Sequence, residues 1–96
     1  MIGTYYPTQS IRFSTTVEIL GTLIDPPTVS LNVQDCTGAV TTYASPSLDS
    51  LGNYHQDVTL PSSAPIGPWH YWWTCVGALP NQAGVSPPRG FVVALP

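Results

Sequence analysis

Prolines and glycines recur so often along this chain that a helix finds no room. Eleven prolines and eight glycines are spread through 96 residues. A proline inside a helix removes a donor and clashes with the preceding turn, and a glycine adds entropic cost. What survives between the breaks is period-two alternation, the pattern of strands with one buried face. Ile11, Phe13, Thr15, Val17 and Ile19 alternate with Arg12, Ser14, Thr16 and Glu18, predicting a strand over 11–20. Val29, Leu31 and Val33 predict a second over 28–34, and Ala39 to Tyr43 a short return strand. Tyr54, Gln56, Val58 and Leu60 predict a strand over 53–60. Trp69, Tyr71, Trp73 and Cys75 alternate with His70, Trp72 and Thr74 over 69–76, and Phe91 and Val93 mark a last strand over 90–94.

Between these runs lie turn signals. Residues 21–27 are turn-rich, Asp35 to Gly38 reads as a hairpin turn, 44–51 as a loop, 61–68 as a proline-rich crossing and 77–88 as a long loop. Residues 3–7 add a short edge strand. About seven strands in one domain over 1–96 predict an all-β, Greek-key sandwich of the immunoglobulin-like kind. The 11–20 and 53–60 strands would share one sheet, and the 28–34, 69–76 and 90–94 strands the other. One domain of this length buries enough surface, roughly 60%, for a core without staples.

Composition narrows function. Only 7% of residues are charged against 43% hydrophobic, and the net charge is -3. Arg12 and Arg89 are the only basic residues besides histidine. Two cations cannot neutralise a nucleic-acid backbone or hold an anionic membrane surface. No apolar run reaches the ~18 residues a bilayer demands. The opening MIGTYYPTQSIRF lacks a basic segment followed by an apolar one, so no signal peptide is expected. A surface of Ser, Thr, Asn, Gln and Pro with so few charges points to contact with other protein.

Three stretches carry a family likeness. Ile24-Asp25-Pro26 precedes Val29-x-Leu31-x-Val33; Asp49-x-x-Gly52-x-Tyr54 leads to Val58-x-Leu60-Pro61; Gly67-x-Trp69-x-Tyr71-x-Trp73 follows, and Gly90-Phe91-Val92-Val93 closes the chain. In this order they resemble small immunoglobulin-like structural proteins of phage particles, and also bacterial Ig-like and macroglobulin-type modules. The resemblance spans about residues 10–95. It implies a virion component made in the host cytoplasm: head decoration, a head–tail part or a tail part, with other virion proteins or further copies of itself as partners. It implies no catalytic site and no cofactor. The chain departs from the family where Cys36 occupies the hairpin turn.

Chemistry-bearing residues are sparse. Cys36 in the turn after 28–34 and Cys75 near the far end of its neighbour would lie roughly 20–25 Å apart at ~3.3 Å per residue. That is too far for a disulfide, so two free thiols are expected. His55 and Asp57 point outward from one sheet and His70 from the other, so they share no metal ion; no CxxC or HxxxH spacing exists. There is no GxSxG elbow and no phosphate-cradling glycine loop. No enzyme is expected. Trp72, between His70 and Thr74, faces out, as an anchor for a protein partner or, with Asn32 and Gln34 beside it, as a platform for a surface glycan. Tyr5 and Tyr6, and Asn81 and Gln82 in the 77–88 loop, are further candidate contacts.

Overall fold

A computed structural model describes residues 4–19, 21–23, 28–76, 84–86 and 88–95. Every regular element among them is a strand. In chain order these are β1 (Thr4–Tyr5), β2 (Ser10–Thr16), β3 (Glu18–Ile19), β4 (Thr22–Leu23), β5 (Thr28–Gln34) and β6 (Val40–Tyr43). They are followed by β7 (Ser47–Ser50), β8 (Asn53–Thr59), β9 (Gly67–Val76), β10 (Gly84–Val85) and β11 (Arg89–Val93).

The larger sheet has the order β1-β11-β9-β5-β6, with β10 also paired to β9; the smaller has the order β2-β8-β7. β3 and β4 form a separate two-stranded ribbon. β1 pairs with β11 in parallel, Tyr5 opposite Val93, whereas β9 runs antiparallel to both of its neighbours, β5 and β11.

One apolar core lies between the two large layers. β2 and β8 supply Ile11, Phe13, Tyr54 and Val58; β5, β9 and β11 supply Val29, Leu31, Val33, Trp69, Tyr71, Trp73, Phe91 and Val93. The layers meet through rings: Phe13 lies 4.7 Å from Tyr71 and 5.8 Å from Phe91, centroid to centroid. Tilted aromatic contacts of this kind add about 0.5–1.5 kcal/mol each beyond area burial. The predicted inward sets hold for most members; Thr15, Val17, Gln56 and Cys75 are only half-buried, and the Ile19 side chain lies outside what is described.

Four expectations are corrected. The predicted strand over 11–20 ends at Thr16: the Val17 N–H turns away to donate to the Gly52 carbonyl at 2.7 Å, and the chain re-forms as the β3–β4 ribbon. The 44–51 loop holds β7, which pairs with β8 through an irregularity between Leu48 and Ser50. The 77–88 loop contains β10, Val85 opposite Thr74 on β9. The expected seven or so strands thus become eleven among the described residues, several of only two residues.

Candidate interaction surface

The alternation that buries Trp69, Tyr71 and Trp73 turns His70, Trp72 and Thr74 to the outer face of the larger sheet. Register extends that face sideways. Asn32 lies opposite Trp72 and Thr42 opposite Asn32, making a Thr42–Asn32–Trp72 row over three strands. Val40, Gln34, His70 and Gly90 form the next row, and Ser30, Thr74 and Val85 another. No Asp, Glu, Lys or Arg sits on this face among the described residues. Val85 at 70%, Val76 at 54%, Val40 at 50% and Val92 at 44% exposure are its open apolar members.

Trp72 faces outward as expected, yet it is half-buried rather than free. Beside it Asn32 is only 8% exposed, unusual for a polar side chain on an outer sheet face. Its Nδ2 donates to the Trp72 carbonyl at 3.5 Å and to Thr74 Oγ1 at 3.4 Å, and its Oδ1 accepts from Thr42 Oγ1 at 2.9 Å. Gln34 Nε2 donates to the Gly38 carbonyl at 3.3 Å. Both amides expected to serve a glycan are thus engaged within the chain. His70 is exposed on the same face.

The tyrosine pair divides. Tyr5 turns in, packing edge-on against Phe91 at 5.9 Å and 84°, and is half-buried against the core. Tyr6 is 39% exposed and stays available. Asn81, Gln82 and the 24–27 segment lie outside the described residues.

The outer face of the smaller sheet is different in kind. Arg12 Nε and Nη2 donate to the two carboxylate oxygens of Asp57 at 2.8 and 3.0 Å, holding the Asp57 carboxyl below its usual range. His55 Nδ1 is 2.6 Å from Asp49 Oδ1. Ser14 and Ser47 flank His55 on the neighbouring strands. No hydrogen bond joins either hydroxyl to the ring among the described residues, so the arrangement falls short of an activated nucleophile. No group of three or more His, Cys, Asp or Glu that could hold a metal ion occurs among the described residues. Cys36 and Cys75 are not joined in a disulfide. Cys75 pairs with Val29 at the far end of β5 from the turn that carries Cys36, as the spacing predicted.

An unforeseen feature lies on the inner side. Arg89 shares the face of Phe91 and Val93, because it pairs with inward-facing Tyr71. It reaches the margin between the sheets, where a cleft of about 570 Å³ opens. Ser14, Thr16 and Asn53 line it from the smaller sheet, Arg89 and Ser86 from the other side, with Tyr71 and Trp73 below. Burial pushes the Tyr71 phenol up, and the positive charge of Arg89 pulls it partly back. The Trp73 indole N–H is sealed from solvent without an acceptor among the described residues. Alternation alone puts Arg89 inward; no signal in the sequence shows which strand lies across from it.

Comparison with family models, curated proteins and solved structures finds no match to this chain.

Proposed function

We propose that this chain is a non-enzymatic structural component of a phage particle, docking through the uncharged outer face of its larger sheet onto other virion subunits. The observation that carries the reading is the segregation of charge. The centre of a protein interface is depleted of charged residues and enriched in aromatic ones. The face around Trp72 has that character, whereas the opposite outer face carries Arg12, Asp57, Asp49 and His55.

Energetics favour the same face. Asn32 has partners at both ends of its amide, so covering it leaves no new unsatisfied group, and Gln34 Nε2 already donates within the chain. Covering Val40, Val92 and the open half of Trp72 releases water from apolar surface. The immunoglobulin-like reading draws support from the wiring: β11-β9-β5-β6 in one sheet and β2-β8-β7 in the other follow the sheet-switching order of such sandwiches. The virion assignment itself rests on the sequence resemblance.

The test is co-sedimentation of the chain with assembled phage particles. Wild-type chain should travel with particles. The double variant Val40→Lys/Val92→Lys should keep its melting temperature and lose attachment at least tenfold. A tenfold loss is about 1.4 kcal/mol, and burying uncompensated charge costs more than that. Wild-type chain left among free proteins refutes the virion role; a variant that still attaches refutes the face.

A further inference from the structure

We propose that the cleft between the sheets binds a hydroxylated organic acid of single-sugar size, with Arg89 holding its carboxylate. The site lies on the other side of the larger sheet from the docking face, and the proposal stands independently of the virion reading.

Size and lining come first. Ligand sites occupy about 300–1,000 Å³, and this cleft, at about 570 Å³, falls inside that range. Its walls are neither greasy nor strongly charged. Ser14, Thr16, Ser86 and Asn53 line it beside buried Tyr71 and Trp73. The Asn53 amide is taken up by Thr16, Ser50 and Leu51, and Ser86 Oγ accepts from the Trp73 backbone N–H, so the Ser14 hydroxyl, the Ser86 proton and the Thr16 lone pairs are what a ligand would meet. Such a wall matches a ligand with hydroxyls around a compact ring. It offers little to a long acyl chain, which would demand continuous apolar lining.

Charge then sets the ligand's other end. The chain has two arginines. Arg12 is satisfied by the bidentate pair with Asp57. Arg89 has no carboxylate within ion-pair distance among the described residues, although strand alternation aims it at the cleft margin. A guanidinium presents a planar fork that matches a single carboxylate. The same fork also matches phosphate, but a single cation beside Asp49 favours a singly charged carboxylate over a doubly charged phosphate or a polyanion. Asp49, also lining the cleft, argues the same way: its negative charge repels extra anionic groups. Its Oδ1 is taken by His55 Nδ1, leaving Oδ2 to accept from a ligand hydroxyl.

The test is a titration of the 15N-labelled full chain, followed by the Trp73 indole and Arg89 side-chain resonances. The probes are D-glucuronate, its methyl glycoside, D-glucose and acetate. Glucuronate should give saturable shifts at both resonances with a Kd on the order of 1 mM, the scale expected of a ligand with so few atoms. Glucose, lacking the carboxylate, and acetate, lacking the hydroxyls, should each bind at least tenfold more weakly. Binding of free glucuronate alone would identify a free acid as the ligand, and comparable binding of the methyl glycoside would identify the acidic end of a glycan. Arg89→Gln should abolish the preference for glucuronate over glucose at an unchanged melting temperature, while Arg12→Gln should preserve it. Shifts that fail to saturate, equal affinity for glucose and glucuronate, or an Arg89→Gln chain with undiminished preference would each overturn the proposal. The comparison of probes on the unaltered chain decides the matter even if a variant misfolds.

Discussion

Trp72 and Trp73 are adjacent in sequence and opposite in role, so truncating each to alanine tests the packing directly. Trp73 is 6% exposed, between the sheets. An aromatic side chain this large buries up to ~250 Å². At about 25 cal/mol per Å² that is ~6 kcal/mol, an upper bound before the compactness of the denatured chain and the remaining methyl are counted. Measured Trp→Ala losses in cores run about 3–5 kcal/mol. The indole N–H here is buried without an acceptor among the described residues, so its removal returns roughly 1 kcal/mol. The expected loss is about 2–4 kcal/mol. Trp72 is half-buried on the outer face and leaves no sealed cavity, so the same arithmetic on half the area, less the same corrections, gives about 1–2 kcal/mol. A chain of 96 residues has a total stability of about 5–14 kcal/mol, so the two variants should be easy to separate. Urea unfolding followed by far-UV circular dichroism measures both. With a slope of about 1–1.5 kcal/mol per molar, the midpoint should fall by roughly 1.5–4 M for Trp73→Ala and by about 1 M for Trp72→Ala. Equal losses, or a larger loss at position 72, would mean that β9 presents the opposite face to the core.

Gly52 and Gly38 offer a matched pair. Both have positive φ, at 77° and 95°, but a Cβ on Gly52 would sit 2.7 Å from the Val17 carbonyl oxygen, whereas one on Gly38 meets nothing within 4 Å. Gly38→Ala should cost about 1–2 kcal/mol from backbone conformation alone, and Gly52→Ala clearly more by the same denaturation assay. Acid should weaken the fold through Asp35 and Asp57. Hydrogen bonds from Thr37 and from Arg12, respectively, hold the two carboxyls below the ordinary value of 3.8. A depressed folded-state pKa gives stability that is fully present above the unfolded value and is lost as pH falls through the folded one. Melting temperature should therefore be insensitive to these groups above about pH 5 and fall below 3.8, with a shallower acid limb in Asp35→Asn. Iodoacetamide should modify the native chain at Cys36 first and at half-buried Cys75 more slowly; a chain that takes up none until reduced would contradict the strand order.

Where one side of a strand is buried and the other wet, the pattern was readable residue by residue. The runs at 28–34, 53–60 and 69–76 correspond to β5, β8 and β9, and their pairing was inferred correctly. β7 left no such trace because all four of its residues are exposed, so no alternation in hydrophobicity exists to read. β3, β4 and β10 have two residues each, too short to show a period. The strand break at Val17 depends on Gly52, a partner far away in sequence. The candidate surface was legible in part. The outward direction of Trp72 followed from alternation, but its partial cover and the sequestered Asn32 depend on cross-strand register. The cleft was not legible, since it exists only where β2 of one sheet approaches Arg89 of the other.

The few charges also give the molecule a direction. Among the described residues, the ionic side chains lie on the smaller sheet's strands, in turns, on the β3–β4 ribbon or, for Arg89, at the inner margin of β11. Docking through the smaller sheet would strip water from the Arg12–Asp57 pair, and desolvating an ion pair offsets much of what its attraction contributes. Docking through the larger sheet strips water from valines, an indole and amides that already have partners, and so carries no comparable penalty. The asymmetry therefore favours one mode of seating, with the charged face toward solvent. It also leaves the cleft open after docking, because Arg89 projects from the inner side of the sheet whose outer side is covered. A chain seated in this way would expose the carboxylate site on the assembled particle, and a particle-bound chain should titrate with glucuronate at the same concentration as the free one.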